Sequence, residues 1–117
     1  MKILICEDEI EVVNILKRYL KYKGFDADHA LNGRVALELI KSRDYGIVFL
    51  DINMPELTGI EILKYMKESH NKAKVIILTG YPGVTSDFCA TLGSDSYLEK
   101  PINLKLIGEI IDKYMRS

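Results

Sequence analysis

Carboxylates, one hydroxyl and one ammonium recur at the ends of successive apolar runs in this chain. Glu7 and Asp8 follow the run Lys2–Cys6, Asp51 follows Gly46–Leu50 with Asn53 close behind, Thr79 ends Lys74–Thr79, and Lys100 comes just after Ser96–Leu98. Three carboxylates brought to one place repel each other, and a bound cation is the natural remedy. Oxygen ligands without His or Cys at ligand spacing favour Mg²⁺, or Mn²⁺ in its place, and such an ion also accepts a phosphate oxygen. A carboxylate can attack phosphorus and become an acyl phosphate. Lys100 would then face the phosphoryl group with a second positive charge, and the Thr79 hydroxyl could donate a hydrogen bond to it. The chemistry these residues suit is phosphoryl transfer onto Asp51.

That chemistry needs the runs to be strands of one sheet. Lys2–Cys6, Gly46–Leu50 and Lys74–Thr79 are almost wholly apolar, as strands covered on both faces are, and Phe25–Ala30 alternates like an edge strand. Ser96–Leu98 makes a fifth, short strand. Between them lie segments of helical period. Glu9–Lys23 carries Val12, Val13, Leu16, Tyr19 and Leu20 on one face, with Gly24 as its C-cap. Asn32-Gly33 caps a second helix with Val35, Ala36, Leu39 and Ile40 inside. A third is expected from about Thr58 to Glu68 (Ile60, Leu63, Met66). A weaker fourth covers Thr85–Leu92 (Val84, Phe88, Leu92, ended by Gly93), and Asn103–Met115 (Leu104, Ile107, Ile111, Tyr114) closes the chain. Alternating βα units predict a parallel sheet with helices on both faces, whose ligands bind beyond the carboxyl ends of the strands.

At 117 residues, 48% of them hydrophobic, the chain has a core for a single domain, 1–117, and too little for two. A net charge of −1 gives no general attraction for nucleic acid, so no direct nucleic-acid partner is expected. No apolar run is long enough to span a bilayer, and the N-terminus lacks a signal-peptide core; the expected location is the cytoplasm, away from membranes. Cys6 and Cys89 are expected to be buried hydrophobes, and His29 and His70 surface or edge residues without function. Glu9 is expected to be an ordinary helix-start charge, and Gly80, Pro82 and Gly83 to form a flexible loop.

Glu7-Asp8, Asp51, Thr79 and Lys100-Pro101, each after successive strands, resemble the receiver domain of two-component response regulators. The run Leu50-Asp51-Ile52-Asn53-Met54-Pro55, followed by Gly59, is similar to that family's phosphorylated segment, and the resemblance covers essentially the whole chain. It implies a doubly wound, flavodoxin-like (βα)5 fold with strand order 2-1-3-4-5. Asp51 would take its phosphoryl group from a phosphohistidine on a histidine kinase or histidine phosphotransfer protein. Asp8, Asp51 and the Asn53 backbone carbonyl would ligate Mg²⁺, with Glu7 acting through a metal-bound water. Glu7 stands where many members have Asp, a mild departure that the family accommodates.

By the same resemblance Lys100 pairs with Asp51 before phosphorylation and with the phosphoryl group after it, next to a cis Lys100–Pro101 bond. Thr79 and Tyr97 form the switch, Thr79 moving toward the phosphoryl oxygens and Tyr97 swinging into the space it leaves. Asn53 and Tyr81 tune phosphoryl lifetime. The face of the fourth helix, fifth strand and fifth helix would change partner affinity, including toward a phosphorylation-dependent homodimer. The function implied is that of a switch rather than a metabolic enzyme. The chain ends at Arg116-Ser117 with no output module, as a stand-alone regulator or as a receiver cut from a larger protein; the lack of a trailing linker favours the first. Two rival readings are a degenerate receiver that binds partners without phosphate and an aspartate-nucleophile phosphohydrolase like the haloacid dehalogenases. The second needs an acid/base aspartate where this chain has Asn53, and the first would be favoured by loss of Asp8, Asp51 or Lys100, all of which are present.

Overall fold

The computed structural model describes residues 2–81 and 83–115, except for the side chain of Ser86. Five strands alternate with five helices: β1 (Ile3–Cys6), α1 (Ile10–Tyr22), β2 (Ala27–Ala30), α2 (Gly33–Ser42), β3 (Ile47–Asp51), α3 (Gly59–Glu68), β4 (Lys74–Thr79), α4 (Ser86–Leu92), β5 (Ser96–Glu99) and α5 (Leu104–Met115). All neighbouring strands are parallel, and the sheet order is β2-β1-β3-β4-β5, as the resemblance implied.

Strand side chains alternate between two cores. Leu4, Cys6, Val48, Leu50, Val75 and Ile77 meet Ala36, Ile40, Ile62, Leu63, Met66 and Cys89 from α2, α3 and α4. Ile3, Ile5, Ile47, Phe49, Ile76 and Leu78 point the other way, onto Val13, Leu16 and Leu20 of α1 and Ile107 and Ile111 of α5. Both faces of the central strands are therefore dry, which is why their sequences are continuously apolar. Both cysteines are free and buried in the first of these cores, and burial pushes their thiols up in pKa.

Asn32 caps α2 as expected, Thr58 and Thr85 cap α3 and α4, and α1 starts after Glu9 without a side-chain cap. Asn32 Oδ1 accepts the Val35 N–H (2.9 Å), Thr58 Oγ1 that of Glu61 (3.3 Å) and Thr85 Oγ1 that of Phe88 (3.1 Å). Gly93 ends α4 at φ +95, in the left-handed region that favours glycine.

Several boundaries and one stripe differ from what the sequence predicts: β1 and β3 each begin one residue later, at Ile3 and Ile47. β2 begins at Ala27 rather than Phe25, because the Gly24 and Phe25 N–H groups close the end of α1 on Lys21 and Leu20 carbonyls (3.0 and 2.9 Å). β3 runs one residue further, so Asp51 itself lies in the ladder opposite Leu78. β5 runs through Glu99, opposite Thr79. In α4 the buried position belongs to Cys89, while Phe88 is 43% exposed; a helix this short at the sheet's margin covers it with one small side chain. Pro82, Arg116 and Ser117, which the sequence reading had included, lie outside the described residues. No helix among the described residues is long and apolar enough to cross a membrane.

Candidate functional site

From β1 the chain turns to β2 on one side and later builds β3, β4 and β5 on the other, so the order reverses between β1 and β3. Ligands in sheets of this kind sit beyond the strand ends at such a reversal. Register sets what meets there. Cys6 pairs with Leu50, which puts Glu7 level with Asp51; Asp51 pairs with Leu78, so Thr79 is one step beyond; Thr79 pairs with Glu99, so Lys100 is one step further.

Asp51 is held at its place by the chain that follows. The Gly59 N–H donates to the Ile52 carbonyl at 2.9 Å, and a Cβ at Gly59 would collide with the Asp51 carbonyl. Only glycine lets the start of α3 come this close to the end of β3. The Asn53 N–H donates to Asp51 Oδ1 at 3.1 Å, and Lys100 Nζ donates to Asp51 Oδ2 at 3.3 Å. The nucleophile candidate is thus fixed by backbone on one oxygen and by charge on the other.

Lys100 also lies 2.6 Å from Glu7 Oε1, an ion pair too bent to be a hydrogen bond, and 3.2 Å from Glu9 Oε1. Glu7 has no exposed surface, and its Oε2 accepts the Glu9 N–H at 3.0 Å. Burial raises the Glu7 carboxyl to a pKa of about 7, against the pull of Lys100, and the nearby Asp51 charge adds to the rise. Asp51 is raised too, by burial first, with the Asn53 N–H and Lys100 opposing. For Lys100, burial disfavours the charge, but Glu7 and Asp51 outweigh it and hold the ammonium well above its usual pKa.

Ligand oxygens of Glu7, Asp8 and Asp51 lie within 4.8 Å of one another, with Asp8 exposed and the other two buried. Glu7 Oε1, buried without a well-aligned hydrogen bond, is an orphan that a hard cation would satisfy. The donor set therefore fits a divalent ion that prefers oxygen. Asp8, Glu9, Asp51, Asn53, Gly80, Tyr81 and Lys100 line an open cleft of about 380 Å³.

Of the remaining predicted residues, Tyr81 lines this cleft, Thr79 directly precedes its Gly80 wall, and Tyr97 lies apart from it. Thr79 is buried, and its Oγ1 accepts the Tyr81 N–H at 3.1 Å, which leaves its own proton free to donate. Tyr81 is 57% exposed at the rim. The Lys100–Pro101 bond is cis. Tyr97 is partly buried against the α2–α3–α4 core, and its hydroxyl donates to Glu99 Oε1 at 3.3 Å, away from Asp51. His29 and His70 stay outside: His29 Nδ1 lies 2.9 Å from Lys17 Nζ on the edge strand β2, and His70 follows α3. The residue sequence reasoning missed is Glu9. As the first charge of a helix it has a sufficient local explanation, and only the fold brings Lys100, far along the chain, to its carboxylate.

The chain matches the response regulator receiver domain family over residues 3–112. It is 37% identical over 102 residues to the response regulator SaeR of Staphylococcus epidermidis, covering 86% of this chain and 44% of that protein. The chain spans less than half the length of the curated relatives it matches, among them the regulatory protein AtoC of Escherichia coli, at 25% of its length. Among solved structures, the Francisella response regulator 1452 receiver domain superposes with a TM-score of 0.90 at 31% identity, covering 98% of this chain and 97% of that one. The Thermotoga maritima response regulator TrrA, in complex with Mg²⁺ and BeF, does so with a TM-score of 0.86 at 34% identity, covering 97% of each chain.

Proposed function

The chain belongs to the response regulator receiver family, whose domains are phosphorylation-activated signalling switches, and we propose that Asp51 is the residue that accepts the phosphoryl group. The observation that carries this is Asp51 in the last ladder position of a buried central strand, with Lys100 on one oxygen and two further carboxylates beside it.

An Asp51 oxygen forms the bond to phosphorus as the donor's phosphorus–nitrogen bond breaks. The electron pair returns to the donor's imidazole, which takes up a proton. Asp8, Asp51 and the Asn53 carbonyl would hold Mg²⁺ or Mn²⁺, with Glu7 reaching it through water, and the ion when bound supplies positive charge to the phosphoryl oxygens. Lys100 supplies the opposing positive charge, and Thr79 donates its free proton to the group once formed. Asn53 and Tyr81, at the cleft wall, govern how water reaches the acyl phosphate and so its lifetime.

The donor is a phosphohistidine on a kinase or phosphotransfer protein. An apolar strip of Val12, Ile15, Pro101 and Ile102, continuous with Lys100 at the cleft, gives such a partner a dry surface to rest on. The output lies on the α4–β5–α5 face, where Tyr97 sits and where Phe88 and Leu106 are exposed by 43% and 42%. Homodimerisation through that face on phosphorylation is part of the same proposal.

Incubation with Mg²⁺ and acetyl phosphate tests it. One acid-labile phosphate should appear by mass, and Asp51→Asn should abolish it. An unlabelled wild type, or label that survives in the Asn variant, removes Asp51 from the role.

A further inference from the structure

Lys100 meets three carboxylates: Glu7 at 2.6 Å, Glu9 at 3.2 Å and Asp51 at 3.3 Å. Two of its hydrogens go to Glu9 and Asp51, and the Glu7 oxygen crowds the ammonium without a hydrogen bond, so three carboxylates share one positive charge. A phosphoryl oxygen arriving at Asp51 therefore competes with these carboxylates for the ammonium, and it gains the lysine more readily if one of them withdraws. Glu7 cannot do so easily: it is wholly buried, and its other oxygen is pinned by the Glu9 N–H. Asp51, 7% exposed at its side chain, is the acceptor itself. Glu9 is different. Its side chain is 58% exposed, it opens α1 without capping it, and water can take it up at little cost.

We propose that Glu9 is a positioning residue that restrains Lys100 before phosphorylation and yields it to the incoming phosphoryl group, so that its carboxylate slows acceptance at Asp51. The inference rests on Asp51 as the acceptor. In the transfer from acetyl phosphate, an Asp51 oxygen bonds to phosphorus, the phosphorus–oxygen bond to the acetyl group breaks, and the electron pair leaves with acetate. Glu9 takes no part in those bonds. It acts only through the lysine and through its negative charge at the cleft mouth, which disfavours an anionic donor.

The test measures labelling rates with acetyl phosphate at saturating Mg²⁺ for wild type, Glu9→Gln and Glu9→Asp. Glu9→Gln should label roughly threefold faster at low ionic strength, the scale of one exposed ion pair. The gain should shrink toward none at about 0.5 M salt, where such charges are screened. Glu9→Asp, which keeps the carboxylate, should restore the slow rate. Thermal midpoints with and without Mg²⁺ should match between wild type and Glu9→Gln, separating restraint of the lysine from damage to the fold or the cation site. A Glu9→Gln rate equal to or below wild type, a gain that persists in high salt, or an Asp variant as fast as Gln overturns the proposal. A wild type that takes no label at all overturns instead the assignment of Asp51.

Discussion

With no exposed surface and an oxygen against Lys100, the Glu7 carboxyl holds its proton up to a pKa of about 7, against 4.5 for the free group. Between those values the folded metal-free protein binds more protons than the unfolded chain. Its stability therefore includes a contribution fully present below about pH 4.5 and lost as pH rises to about 7. Glu7→Gln removes this dependence, so the unfolding free energies of wild type and variant, followed by urea titration without divalent ions, should diverge across that window. The wild type should lose on the order of 1–2 kcal/mol relative to the variant, solvent screening allowed for. Parallel curves would mean that Glu7 is ionised throughout. Mg²⁺ should stabilise the wild type more at pH 8 than at pH 6, since a bound cation favours the ionised group. The sequence placed Glu7 beside the site but could not give its burial. Nothing in the local run Cys6-Glu7-Asp8 says which of two adjacent acids turns inward; strand register decides it.

Among elements, the turn from β3 into α3 is the tightest joint in the site. A methyl group at Gly59 meets the Asp51 carbonyl, a backbone atom that cannot step aside, whereas one at Gly108 of α5 meets the Tyr19 hydroxyl at the far end of a side chain. Gly59→Ala should thus destabilise by about 2–3 kcal/mol and shift Asp51, cutting Mg²⁺-dependent labelling along with the urea midpoint. Gly108→Ala should stay within about 1 kcal/mol of wild type, the better helix propensity of alanine offsetting the displaced tyrosine. Equal losses at both sites would show that the Asp51 carbonyl has more freedom than its hydrogen bonds imply. Elements of this kind were legible in part. The apolar runs and helical stripes located every strand and helix, since period and burial go together. The boundaries at Phe25, Asp51 and Glu99 were not legible, because they depend on which backbone groups pair across the sheet. Phe88 was misread for a related reason: a four-residue spacing shows a stripe but not whether the sheet extends beneath it.

For the molecule as a whole, the parallel sheet ties Asp51 to the distant α4–β5–α5 face through a short chain of contacts. Thr79 stands next to the Leu78 partner of Asp51, its Oγ1 receives the Tyr81 N–H, and its carbonyl accepts the Lys100 N–H at 2.7 Å. A phosphoryl group that draws the Thr79 hydroxyl inward therefore pulls on the loop after β4 and on the end of β5 together, and Tyr97 lies three residues before Lys100 on that strand. Nuclear magnetic resonance with Mg²⁺ and beryllofluoride, a phosphoryl analogue, should show amide shifts at Tyr81 and at Tyr97–Glu99 in the wild type. Thr79→Val keeps the side chain's shape without the hydroxyl, at a stability loss of about 1 kcal/mol for the Tyr81 N–H left unpaired. In that variant the analogue should still shift residues beside Asp51, but the shifts across β5 should largely vanish, and Thr79→Ser should bring them back. A full set of β5 shifts in Thr79→Val would mean that the signal travels by another route, with Lys100 the first to consider, since it touches both Asp51 and the β4 end.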